Sequence, residues 1–134
     1  VMRIFLSVKY HEDMSNRPFV EALTGALEQD GHETLLVVRD LEEWGARGFT
    51  TQALMAATFQ MIDSADCLLA EQSEKGTGLG IEAGYAYARG IPVVALAREG
   101  CELSPTLTGI AVYCGAYRTV EEVPGLVKAA FPAG

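Results

Sequence analysis

Cysteine and histidine are scarce in this chain. Cys67, Cys101 and Cys114 form an odd set with no C-x-x-C pair, and His11 and His32 add no ligand spacing. Neither a disulfide framework nor a metal site is encoded, and the thiols are expected to be reduced. Basic residues are few as well, 10 Lys+Arg against 18 Asp+Glu for a formal net charge of -8. Without a Lys/Arg cluster to neutralise a run of phosphates, a nucleic-acid polymer is excluded as a partner class. No apolar run approaches the ~20 residues of a membrane-spanning helix. The longest, such as Ile91–Leu96, are strand-sized, so no membrane partner is expected. The first ten residues lack the basic-then-apolar layout of a secretion signal, which sets the expectation of a cytoplasmic protein.

What is present is apolar and regularly spaced. With 134 residues, 49% of them hydrophobic, the chain can form a core without staples, and residues 1–134 are expected to make one domain. Arg3–Val8 reads as a strand. Phe19, Ala22, Leu23, Ala26 and Leu27 recur at helical spacing, with Ser15 or Asn16 as cap, Pro18 at the opening and Gly31 as the stop. Thr34–Val38 reads as a second strand, and Thr50 or Thr51 caps a helix carrying Leu54, Thr58, Met61 and Ile62. Asp66–Ala70 is a third strand, Glu71–Gly80 a glycine-containing loop, and Ile81–Arg89 a helix closed by Gly90. Pro92–Leu96 and Ile110–Tyr113 complete the strands, and Thr119–Phe131 is the last helix. Alternating strands and helices with short connections predict a three-layer α/β domain of flavodoxin or Rossmann-like type, with a parallel sheet of about five strands. Ligands in such sheets bind beyond the carboxyl ends of the strands.

The loop after the third strand carries the chemistry. Gly76, Gly78 and Gly80 precede a helix, so backbone can approach a ligand closely there, and the exposed amides of a helix start suit a phosphate or ribose hydroxyls. Glu82 is expected in the first turn, where the helix dipole favours its ionised form while burial would oppose it. A carboxylate facing a sugar can attack or stabilise the anomeric carbon. The spacing is neither G-x-G-x-x-G nor a P-loop, so a plain strand-to-helix connection with Glu82 as an ordinary helix acid stands beside that reading.

Asp66–Leu96, with DCLLAE and GTGLGIEAGYAYARGIPVVAL, resembles the nucleoside 2-deoxyribosyltransferase superfamily, including the deoxynucleoside 5'-phosphate N-hydrolases and the CMP N-glycosidases. The IFLS of Ile4–Ser7 and the Glu43-Trp44-Gly45-Ala46 stretch extend the likeness over Arg3 to Ala97. The resemblance implies that Glu82 is the catalytic nucleophile, releasing a nucleobase before transfer to another base or to water. It implies no metal or cofactor, a small nucleoside or nucleotide as substrate, and a homodimer, for which the small Ala53, Ala56, Ala57 face offers close helix packing.

Candidate substrate contacts are Phe5, Ser7, Tyr10, Trp44, Gly76, Thr77, Gly78 and Gly80. Three positions depart from the pattern of the family. Phe5 stands for a tyrosine, keeping a stacking surface without the hydroxyl. Thr58 stands for an aspartate, which leaves Glu71 or Glu74 as the second carboxylate, or none. Gly76 stands for a serine or aspartate, with Ser73 and Thr77 nearby as donors.

Among the remaining residues, Trp44 either covers a base or closes the edge of the core. His11 is a proton donor to a departing base or a solvated loop residue. Tyr85 and Tyr87 lie on different helix faces, so at most one packs against the sheet. Asp66 reads as a turn acid, Asp40, Glu42 and Glu43 as a solvated loop, and Cys67 as core. Two other functions compete with the N-glycosidic reading. One is a nucleotide-binding sensor without turnover, which the Thr58 and Gly76 departures favour. The other is a phosphoribohydrolase of the cytokinin-activating type, whose Pro-Gly-Gly is missing here.

Overall fold

A computed structural model describes residues 1–132. Strands β1 (Arg3–Val8), β2 (Glu33–Leu35), β3 (Cys67–Glu71), β4 (Val93–Arg98) and β5 (Tyr113–Tyr117) form one sheet in the order β2-β1-β3-β4-β5, every neighbouring pair parallel. The helices are α1 (Arg17–Gln29), α2 (Val37–Asp40), α3 (Thr51–Asp63), α4 (Thr77–Ala88), α5 (Pro105–Thr108) and α6 (Val123–Ala130). This is the doubly wound α/β architecture that the alternating pattern implies.

Period-two alternation along the strands builds two cores. Ile4, Leu6, Cys67, Leu69, Val94 and Leu96 face Val20, Leu23 and Leu27 of α1 and Val123 and Val127 of α6. Phe5, Leu68, Ala70, Val93 and Ala95 face Ile62 of α3, Ala83 and Ala86 of α4 and Leu107 of α5. Each fully buried large side chain contributes roughly 1.5–3 kcal/mol, and both faces are covered, as runs such as Val93–Ala97 require.

Beyond shifts of one or two residues at β3 and β4, four boundaries differ from the sequence expectations. The second strand stops at Leu35, because only Glu33–Leu35 finds partners on β1. The carboxylate of Asp40 then accepts from the Leu36 amide at 2.9 Å and starts α2 where the β-branched Val37 and Val38 suggested more strand. Helix α4 begins at Thr77, so Thr77–Gly80 is its first turn rather than loop. The fifth strand is Tyr113–Tyr117, set by the register Val94↔Tyr113 to Arg98↔Tyr117, while Ile110 and Ala111 close the turn after α5. The last helix opens with a 3-10 turn at Val120–Glu122. Of the two candidate caps for α3, Thr50 is the one used, its hydroxyl accepting from the Ala53 amide at 3.1 Å.

Candidate active site

The order β2-β1-β3 puts the reversal of winding between β1 and β3, and the crevice beyond their carboxyl ends is where such sheets bind ligands. Ser7 follows Phe5 on the same face of β1 and is buried beneath α4. Its hydroxyl donates to Oε1 of Glu82 at 2.6 Å. Glu82 lies in the second turn of α4, beyond the strongest influence of the dipole, and the burial of its carboxyl dominates. Desolvation pushes its pKa up to about 6, with the Ser7 hydrogen bond pulling the other way. A carboxylate balanced near that value is ionised at neutral pH while remaining partly dehydrated, a condition that favours attack on an electron-poor carbon.

Glu82 opens on two cavities. One, of about 370 Å³, is lined by Val8, Lys9, Gly76, Thr77, Gly78, Leu79 and Glu82. Gly76 caps α4 with no side-chain hydrogen bond, so the first amides of the helix are free to bind an acceptor. The second, of about 140 Å³, is lined by Leu6, Val8, Tyr10, Leu36, Val37, Val38, Glu42 and Glu82. Tyr10, Val38 and Glu42 also line a neighbouring hollow with Trp44, Glu12 and Met14. Glu82 thus sits between a backbone-rich cleft and an apolar, aromatic one.

The structure brings together Ser7, Tyr10, Trp44, Gly76, Thr77, Gly78 and Glu82, and leaves out two residues expected at the site. Phe5 is fully buried in the core between Leu35, Ile62 and Leu68 and has no surface to offer a ligand. Gly80 lies within α4, its amide directed to the carbonyl of Gly76, and lines neither cavity at Glu82. Trp44 closes the edge of the core. Its ring packs against the core edge, edge-on to Tyr10 at 5.5 Å and under the Arg17 guanidinium at 4.0 Å, while lining the outer hollow.

The proposed second carboxylates are placed elsewhere. Alternation along β3 turns Glu71 to the opposite face of the sheet from Glu82, where it accepts from Tyr117 Oη at 2.9 Å and from the Ser73 amide. Burial raises the Tyr117 hydroxyl's pKa, and the neighbouring Glu71 adds to the shift. Glu74 is paired with His11 Nε2 at 2.8 Å, while Ser15 holds His11 Nδ1, so this histidine ties two loops together. Thr58 is buried and donates to the Leu54 carbonyl of its own helix at 2.8 Å. Asp66 accepts from the Arg3 amide at the other end of the sheet. Tyr85 stacks on Phe59 and donates to Asp63, while Tyr87 is exposed. Cys67 is buried, its thiol pushed up to about 12 by desolvation.

Glu42, which the sequence places in a solvated acidic loop, lies beside the site. It shares a cavity with Glu82. What brings it there is the turn that follows, where Glu43, Trp44 and Gly45 all have positive φ, at 48°, 58° and 95°. Two consecutive non-glycine residues in the left-handed region cost about 1–2 kcal/mol each and mark functional segments. Only Gly45 announces that conformation in the sequence.

The nucleoside 2-deoxyribosyltransferase family model matches residues 6–125. A Thermofilum pendens protein described as a 2'-deoxynucleoside 5'-phosphate N-hydrolase is 34% identical over 116 residues, spanning 81% of this chain and 78% of its own. The Clostridium botulinum CMP N-glycosidase superposes with a TM-score of 0.67 at 20% identity, covering 95% of this chain and 98% of that one. A 2-deoxyribosyltransferase from Bacillus psychrosaccharolyticus gives 0.67 at 18% identity, over 91% and 90%. These two structures share the fold.

Proposed function

Because this chain belongs to the nucleoside 2-deoxyribosyltransferase family, we propose that it breaks the N-glycosidic bond of a small nucleoside or nucleoside 5'-monophosphate, with Glu82 as the nucleophile. One observation carries this reading: a half-buried carboxylate, held by Ser7 at 2.6 Å, stands at the junction of two cavities at the switch point of the sheet. The Glu82 carboxylate attacks the anomeric carbon as the bond to the base nitrogen breaks. The base leaves with the electron pair and takes up a proton. Water, or a second base, then attacks the same carbon and frees the carboxylate, so no redox partner is required. Ser7 fixes the attacking oxygen, and Thr77 with the amides of Gly78 and Leu79 receives the 5' end of the sugar. Lys9, which lines that cleft, supplies a cation to it.

A homodimer fits the same reading. A Cβ built on Gly78, Gly80 or Gly84 would meet nothing within 4 Å, so the fold of a single chain gives no steric reason for glycine in α4. Each glycine in a helix interior costs about 1 kcal/mol relative to alanine. The outer face of α4 also exposes Ile81 and Tyr87, and α3 beside it exposes Ala53 and Ala56. A second copy packed on these faces accounts for both features. A cytoplasmic location agrees with the three unpaired cysteines. Among the described residues, no helix is long and apolar enough to cross a membrane.

The buried, self-bonded Thr58 favours a second reading, a nucleotide sensor without turnover. Incubation with a panel of nucleosides and 5'-monophosphates separates the two. Free base detected by chromatography supports the enzyme, whereas thermal stabilisation without base release supports the sensor.

A further inference from the structure

Resting on the catalytic reading above, we propose that Glu42 selects the leaving base, accepting a hydrogen bond from an exocyclic amine and so favouring cytosine, adenine or guanine over their carbonyl-bearing counterparts. With the anomeric carbon at Glu82, the sugar's 5' end and the base extend from different ring carbons, C4' and C1', and so reach different pockets. The backbone-rich cleft at Gly76–Leu79 suits the first. The other cavity is walled by Leu6, Val8, Leu36 and Val38, which suit the faces of a planar ring.

Two polar groups interrupt those apolar walls. The Glu42 carboxylate, like those of Glu12, Glu43, Glu102 and Glu121, has no hydrogen bond or ion pair among the described residues, and of these five it is the one that lines the inner cavity beside Glu82. The Tyr10 hydroxyl is shut off from solvent and has no partner among the described residues either. A buried hydroxyl without a partner marks a place where a ligand or water atom belongs. Tyr10 and Glu42 line the inner cavity together and continue into the outer hollow beneath Trp44. The left-handed turn at Glu43–Gly45 fixes the chain immediately after Glu42, so the carboxylate is offered from a constrained segment.

An ionised carboxylate only accepts hydrogen bonds. The amino group of cytosine, adenine or guanine satisfies it. A carbonyl oxygen in the same place, as in uracil or hypoxanthine, meets it with like partial charge and offers no donor at that position. A site built to pair with a particular polar group rejects the analogue lacking it far more strongly than shape alone would. One charge-assisted hydrogen bond is worth on the order of tenfold to a hundredfold in affinity.

The test is calorimetric titration with two matched pairs, cytidine against uridine 5'-monophosphate and adenosine against inosine 5'-monophosphate, on the parent and on Glu42→Gln, with base release followed in parallel. The amide both donates and accepts, so the preference should shrink toward unity in Glu42→Gln while its melting temperature stays near that of the parent. A parent that binds both members of each pair equally, or binds none, overturns the assignment, as does a Glu42→Gln protein that keeps the preference. Selective binding without base release upholds the Glu42 assignment and rejects Glu82 as nucleophile. Release of base from all four nucleotides at equal efficiency does the reverse.

Discussion

An ionised Glu82 is costly to the fold, and that cost separates its chemical role from an ordinary helix acid. Its pKa is raised from the ordinary 4.5 to about 6, with burial the larger cause. Between those values the folded chain holds a proton that the unfolded chain releases, so this residue's contribution makes stability fall as pH rises through that window and stay level above it. Glu82→Gln keeps an acceptor for Ser7 but never ionises. Chemical denaturation should find the variant close to the parent at pH 4 and more stable by up to about 2 kcal/mol at pH 7. An exposed helix acid would show no such gap. Ser7 provides a second handle, because its hydrogen bond stabilises the charged form. The acid limb of kcat/KM should lie near pH 6 in the parent. In Ser7→Ala it should move to higher pH, with a lower plateau, since the carboxylate is both less acidic and less well aimed.

At the scale of elements, the sheet separates Glu71 from Glu82, one on each face. Glu71 and Tyr117 form a buried pair on the α1/α6 side. Tyr117→Phe should lower stability by about 1–2 kcal/mol, measured by denaturant unfolding, and leave kcat/KM and its pH profile unchanged, because this pair lies across the sheet from Ser7 and Glu82.

Much of this layout was legible in the sequence. The apolar runs of β1, β3 and β4 and the GLGIEAGYA segment located the sheet and Glu82. Strand period two was also available, and it separates Ser7 from Leu6 and Glu71 from Ala70. What could not be read was decided by tertiary partners. Val37 and Val38 look like strand but follow an edge strand of three paired residues. Gly78 and Gly80 look like loop but are held in a helix that starts at Thr77, behind a Gly76 cap that has no side chain to offer. Phe5 looked like a stacking surface until α3 and α4 covered it. Glu42 is carried to the cavity by a backbone turn that no local propensity encodes at Glu43 and Trp44.

For the molecule as a whole, the proposed dimer would place its contact on the outer face of α4. The helix that carries Glu82 inward exposes Ile81, Gly84 and Tyr87 outward. Gly84→Glu places a charge where the single chain has open space, so the fold should be retained, and glutamate is the better helix former. Light scattering at micromolar protein should give a dimer mass for the parent and a monomer mass for Gly84→Glu, with base release falling in the monomer. A parent that is monomeric at that concentration removes the dimer from the reading and leaves Glu82 untouched.

Base release by Glu82→Gln tests the nucleophile most directly. With the parent's best substrate from the nucleoside and 5'-monophosphate panel, free base is quantified by chromatography under single-turnover conditions, and binding of the same compound is measured alongside. Losing the attacking oxygen's charge should slow release by on the order of a thousandfold or more while binding changes little, because the charge acts chiefly in the transition state. A folded Glu82→Gln protein that releases base at the parent rate would contradict the assignment.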